Sequence, residues 1–149
     1  MRITVRTFQN EQHAEMFIAI SQKIMEDTLK DKFYVEPIEI DCCFDKNAWP
    51  NALQDGLERI RAEAEDAVRS GSGHLLLTDH LSNANRVAMP MILATSAVHS
   101  HLTRKGLRTF TSINVRSAEC IDPHYFAVLI AAGATVVNAY LAEDSIGDR

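Results

Sequence analysis

The chain contains no apolar run near the roughly 20 residues that a bilayer-spanning helix needs, so no membrane passage is expected. It has no surplus of positive charge. Fifteen Lys and Arg against 20 Asp and Glu leave a formal charge of −5, which argues against a general attraction to nucleic acid or anionic lipid. Cysteine is scarce, and the odd number of three argues against the disulfide framework of a secreted protein. Cys42 and Cys43 are adjacent, so on a strand they point to opposite faces and cannot share a metal; Cys120 stands alone. The basic start, MRITVRTF, alternates instead of opening an apolar signal segment, which makes the cytoplasm the expected location. There is no Gly-x-Ser-x-Gly elbow, P-loop or dinucleotide fingerprint, and no linker or low-complexity stretch. What remains is a chain of 149 residues, 46% hydrophobic and 23% charged, with the balance of one globular domain.

The residues that are present alternate between two periods. RITVRTF (2–8) reads as a half-buried strand, and residues 11–31 carry apolar side chains at helical spacing. VEPIEIDCCF (35–44) reads as a second strand. The clearest helix is 50–69, whose stripe is Leu53, Leu57, Ile60, Ala64 and Val68. It ends at SGSG, where a helix cap is preferred to a phosphate loop because the loop follows a helix rather than a strand. HLLLTD then reads as a buried strand, and LSNANR leads to a helix over 88–104 that stops at Gly106. Strand RTFTSINV (108–115), a helix from Pro123 to Ala132, Gly133 and strand TVVNAY (135–140) complete the series. Strand and helix in alternation predict an α/β fold with a parallel sheet of four to five strands.

In such folds the working face lies at the carboxyl ends of the strands. That criterion selects Asp45, then Thr78, Asp79 and His80, then Arg116, Ser117 and Glu119, then Asn138 and Tyr140. His99 and His101 are one residue apart on a helix, so they fall on opposite flanks of the stripe Met91, Ala94, Val98, Leu102 and cannot chelate one metal. Arg104, Lys105 and Arg108 gather at that helix's C-terminus, where cations complement the dipole and an anion site is not expected. Asp79-His80 is better placed. Asp79 could raise the pKa of His80 and make it an acid–base group, although the preferred reading has Asp79 capping a turn in the loop that follows. The candidate ligand-facing set is Asp79, His80, Arg116, Glu119 and Asn138, with no catalytic residue, no cofactor and no metal assigned.

From about Tyr34 onward the residues resemble the central domain of the large subunit of glutamate synthase. The matching stretches occur in order: LLLTDH (75–80), VAMP (87–90), AVHSHL (97–102), KGLRT (105–109), PHYFAVLIAAGA (123–134) and VVNAYLAED (136–144). The departures leave the helix stripes and glycines in place. His80 replaces the family arginine, Val87 or Ala88 the first proline, and Ser100 the central histidine of a triple. Tyr125 replaces a second histidine, Arg116 a glutamate, and Ala139 the proline of Asn-Pro-Tyr.

The resemblance implies an α/β relic of a flavin barrel, a half-barrel, set between an amidotransferase domain and a flavin-binding synthase domain. Such a domain holds the two active sites together and lines the ammonia path without catalytic residues of its own. The expected division is 34–149 as the central-domain-like unit, with 1–33 as an added strand and helix. Glutamate synthesis by this chain alone is not expected. Met1-Arg2 supplies no N-terminal cysteine nucleophile, and three scattered cysteines cannot hold an iron–sulfur cluster. The expected function is a non-catalytic scaffold domain or subunit of a glutamate-synthase-like assembly in ammonia assimilation. Sheet edges and apolar helix faces left uncovered imply a homo-oligomer or a complex with other subunits. A free-standing small-ligand binder or enzyme using the strand-end set is the alternative, and a flavin binder a third reading in which no flavin absorption is expected.

Overall fold

The computed structural model describes residues 36–147 apart from residue 49, so the strand expected at 2–8 and the helix at 11–31 lie outside the described residues. The elements are β1 (Ile38–Asp41), β2 (Cys43–Asp45), α1 (Ala52–Arg69), β3 (His74–Thr78), β4 (Arg86–Ala88) and α2 (Met91–Arg104), followed by a 3-10 turn (Arg108–Phe110), β5 (Ser112–Arg116), α3 (Pro123–Ala131), β6 (Val136–Asn138) and α4 (Tyr140–Gly147). Strands β1, β3, β5 and β6 pair in parallel in that spatial order, which gives the expected α/β fold.

Strand order follows chain order without a reversal, and each link passes through one helix. Crossovers of a single hand then put successive helices on the same face of the sheet. The packing agrees, with α1 against α2 and α2 against α3. The core lies between this helix layer and the sheet: Ile40, Leu75, Leu77, Ile113 and Val115 meet Leu57, Ile60, Ala64, Met91, Ala94, Val98, Leu102 and Leu129. The opposite face carries the alternate residues. Register sets Glu39, Leu76, Asn114 and Val136 in one row, and Asp41, Thr78, Arg116 and Asn138 in the next. Leu76 and Asn114 are only partly buried there, whereas Leu75 and Leu77 are fully covered on the helix side.

Three expected strands are shorter than their apolar runs. The run Val35–Phe44 breaks at Cys42, whose N–H donates to Thr78 O at 2.8 Å while its carbonyl accepts from Met89 N at 2.8 Å. The chain changes partner at that residue, and β2 pairs antiparallel with β4 instead of extending the main sheet. The loop expected over 81–86 therefore ends in a strand, and α2 starts at Met91 rather than at 88. Residues 108–110 form a turn because the Arg108 guanidinium folds inward, donating to Thr111 O (2.6 Å), Gly133 O (2.8 Å) and His99 Nδ1 (3.0 Å). The last strand stops at Asn138, and Tyr140 opens α4 instead of closing β6.

The two histidines of α2 diverge. His101 Nε2 lies 2.7 Å from Glu65 on α1, while His99 accepts from Arg108 at the other flank. Glu65 also meets Arg69 at 2.8 Å and Lys105 at 3.5 Å. Hydrogen bonds from Arg69 and His101 hold its carboxyl at about 2, against an ordinary 4.5. A lowered carboxyl contributes stability that is complete above the unfolded value and is lost as pH falls toward the folded one. Stability should therefore decline between pH 4.5 and about 2. Glu65→Gln should flatten that window in urea denaturation at stepped pH.

Gly133 ends α3 at φ +114, and a Cβ there would stand 2.3 Å from His99 Nδ1. Gly133→Ala combines backbone strain with that overlap. It should destabilise the fold by more than about 1 kcal/mol, seen as a lower denaturation midpoint with an unchanged slope.

Candidate functional site

At the carboxyl end of the sheet the loops converge on Asp79, which follows β3 directly and is 1% exposed. A buried carboxyl needs donors, and Asp79 has three. Its Oδ2 accepts from Ala118 N at 2.8 Å and from Ser117 Oγ at 3.4 Å; its Oδ1 accepts from Tyr140 OH at 3.2 Å. Ser117 Oγ in turn accepts from Glu119 N at 3.2 Å, and Ser117 N donates to Asn138 O at 3.0 Å. The sequence predicts that this side chain caps its own loop. Instead it caps the loop after β5, and its own loop is closed by the backbone, with Ser82 N on Asp79 O at 3.0 Å. The Tyr140 hydroxyl is raised above its ordinary pKa, through burial first and the adjacent Asp79 second.

His80 does not share this site. Its Nδ1 is 2.8 Å from Thr78 Oγ1 and 3.4 Å from Glu39 Oε1, so its carboxylate neighbour comes from β1 and not from Asp79. Glu119 serves a third location. Its Oε2 accepts from Met91 N at 3.0 Å, at the start of α2, and from the Tyr125 hydroxyl. Pro90 at the N-cap offers no side-chain acceptor, so a carboxylate from another loop supplies one and also complements the helix dipole. Burial, then Glu119, raises the Tyr125 hydroxyl well above its ordinary pKa. Asn138 Nδ2 is 3.4 Å from Glu143, and the Arg116 guanidinium sits 5.1 Å from the Tyr140 ring centroid. Of the candidate set, Asp79, Arg116 and Asn138 gather around Ser117 and Tyr140, with His80 and Glu119 to either side.

Sequence reasoning passed over the cluster beneath β2. Asp41 pairs with Arg86, whose sequence position lies in a loop-like stretch, and Arg59 donates to Asp41 O at 2.7 Å and Cys43 O at 3.1 Å. The available signal was the alternation of Glu39 and Asp41 on one face of IEID. Burial raises the Asp41 carboxyl, but hydrogen bonds from Arg86 and Cys43 outweigh it and leave it low. Burial pushes the Cys42 thiol up to about 12 and Cys43 up to about 11. Such thiols are protonated at neutral pH and are poor nucleophiles. Among the described residues no three His, Cys, Asp or Glu side chains are grouped to hold a metal ion, and no helix is long and apolar enough to cross a membrane.

These features define a class: an α/β domain wound in one direction, whose strand-end polar groups mostly hold loops together. The profile described as "Glutamate synthase central domain" matches residues 6–149, and the chain belongs to that family. The match takes in residues 6–33, which the quoted motifs left outside the resemblance. The chain is 60% identical over 111 residues to the glutamate synthase (NADPH) large chain of Azospirillum brasilense, covering 74% of this chain and 7% of that protein. It is 46% identical over 90 residues to the corresponding chain of Bacillus subtilis, covering 60% of this chain and 6% of that one. Against the ferredoxin-dependent glutamate synthase 1 of Arabidopsis thaliana it is 37% identical over 126 residues, which is 83% of this chain and 8% of the plant protein. The chain thus spans 6 to 8% of the length of these relatives.

Asp79→Asn keeps the shape but turns an amide donor toward groups that themselves donate. A loss of about 1–3 kcal/mol in urea denaturation is expected, with a smaller loss for Tyr140→Phe, which removes one weak donor.

Proposed function

We propose that this chain is a non-catalytic structural domain of a glutamate-synthase-like assembly in cytoplasmic ammonia assimilation, built as a half-barrel that docks other parts of the assembly. Strand order without reversal, with helices on one face, is the pattern of a barrel segment. The observation that carries the reading is the apolar flank of the last βα units. Ile121 (70% exposed), Ile130 (58%), Val136 (55%), Leu141 (49%) and Ile146 (74%) all lie on or beside α3, β6 and α4. Side chains of this size left in water at one end of a sheet favour coverage by another surface. The buried strand-end carboxyl of Asp79 fits the same role, because its oxygens serve neighbouring loops.

The full chain is expected to run as an oligomer in light scattering, or to capture amidotransferase or synthase parts of such an assembly in a pull-down. Ile130→Asp should weaken that association while leaving the circular dichroism spectrum unchanged. A sharp monomer peak together with no captured assembly part would overturn the scaffold reading.

A further inference from the structure

From residue 117 to residue 147 the chain carries no Lys or Arg, while Glu119, Asp122, Glu143 and Asp144 supply four carboxylates. This stretch builds α3, β6 and α4. Helix α3, PHYFAVLIA, has no ionised side chain of either sign apart from what His124 contributes when protonated. Its Ala127, Ile130 and Ala131 are exposed and, spaced three and four residues apart, share one outward face. The outward face of α1 is the opposite case, with Asp55, Glu58, Glu63, Asp66 and Arg69 in water. A solvated helix carries charge on that face, and α3 does not.

The helix layer is also open at this point. Helix α2 packs along one side of α3, and β6 lies beneath it, but α4 is not packed along the other side. Strand β6 pairs with β5 alone, so it is an edge of the sheet. Ala127 and Ala131 leave room for the close approach of another helix, with Ile130 projecting between them as a ridge. The carboxylates mark one end of this flank. Both α3 and α4 begin beside the carboxyl ends of strands, which puts Asp122, Glu143 and Asp144 at that end and Ile130 and Val136 toward the other. Two cations border the flank, and both are turned to the protein. Arg108 donates to Thr111 O, Gly133 O and His99, and Arg116 lies over the Tyr140 ring. Among the described residues, none of these three carboxylates forms an ion pair.

We propose that the α3–β6 flank docks an apolar helix of a different protein, bordered by Lys or Arg at the end that meets Asp122, Glu143 and Asp144. A second copy of this chain meeting through the same flank brings no Lys or Arg to face those carboxylates, because the flank has none. Uncompensated carboxylates at the border of an apolar contact select against that pairing and for a basic partner. The inference rests on the scaffold reading and decides between its two forms of association, in favour of the hetero-complex.

The test uses the full, nitrogen-15-labelled chain and two synthetic helical peptides with the same leucine and alanine stripe, one bordered by lysines and the other by glutamates. The lysine peptide should give saturable shifts confined to the amides of residues 121–147 and bind at least about tenfold more tightly than the glutamate peptide. Glu143→Lys combined with Asp144→Lys should reverse that preference. The same charge change on α1, Asp55→Lys with Glu58→Lys, should leave it unchanged, which separates local complementarity from attraction by the net charge. Equal affinity for the two peptides would overturn the proposal. So would a preference that survives the α4 variant, or a homo-oligomer that Ile130→Asp dissociates. The lysine preference without any assembly part captured in the pull-down would remove the scaffold reading alone; capture without the preference would remove this inference alone.

Discussion

The carboxyl end of this sheet depends on one buried charge. Asp79 is placed by β3, but its oxygens receive donors from the loop after β5 and from the first residue of α4. A carboxyl with almost no solvent contact costs several kcal/mol unless such donors are present, so the two distant segments are required to meet it. The consequences spread outward. Once Ser117 is fixed, its hydroxyl holds Glu119 N, and Glu119 reaches the open N–H of Met91 at the start of α2. Once Tyr140 is fixed, its ring supports Arg116. A break at Asp79 would therefore loosen a helix start, a loop and a stacked cation together.

The opposite end is held by the reverse arrangement. There a partly buried cation, Arg108, is surrounded by two carbonyls and the Nδ1 of His99, and burial lowers its pKa. Because Arg108 donates to that nitrogen, His99 must present a lone pair there, which sets its tautomer. Gly133 admits the imidazole by lacking a Cβ and offers its carbonyl to the same guanidinium. An anion fed by N–H and O–H groups closes the top of the sheet, and a cation fed by acceptors closes the bottom.

The architecture was legible because it rests on repetition that survives in the sequence. In the stripe Leu53, Leu57, Ile60, Ala64, Val68 all but the partly buried Leu53 are buried as their spacing predicts, and so is the whole stripe Met91, Ala94, Val98, Leu102. The divergence of His99 and His101 followed from helical geometry alone. The errors occur where one hydrogen bond outweighs a pattern. Ile38, Ile40, Cys42 and Phe44 keep a period of two to the end of VEPIEIDCCF, yet Cys42 exchanges Thr78 for Met89 as partner and ends the strand. RTF has strand composition, but the Arg108 side chain finds its acceptors only when the backbone turns. At the site, sorting by strand end found most of the polar residues but could not pair them. Asp79 and His80 are adjacent in sequence and turn to different partners, because successive side chains at a strand end face opposite ways. Glu119 and Met91 are far apart in sequence, and no local signal connects them.

The departures from the family pattern become coherent once contacts are known. Tyr125, where the pattern has histidine, supplies the hydroxyl that meets Glu119 beside the start of α2. Arg116, where the pattern has glutamate, rests on Tyr140, a residue the pattern keeps. Register puts Arg116 in one row with Asp41, so a glutamate at that position would add a second carboxylate to the row where the arginine adds a cation. Ser100 is exposed on α2, and Ala139 is 1% exposed between Asn138 and Tyr140, so the one departure touches no core residue and the other enters the core as a smaller side chain. The apolar stripes and the Asp79–Tyr140 contact fix where the loops sit, and the changes at Ser100, Arg116 and Tyr125 fall outside both. The family scaffold is thus retained through its interior, while the charge displayed at the ends of its strands has been rewritten around Arg116.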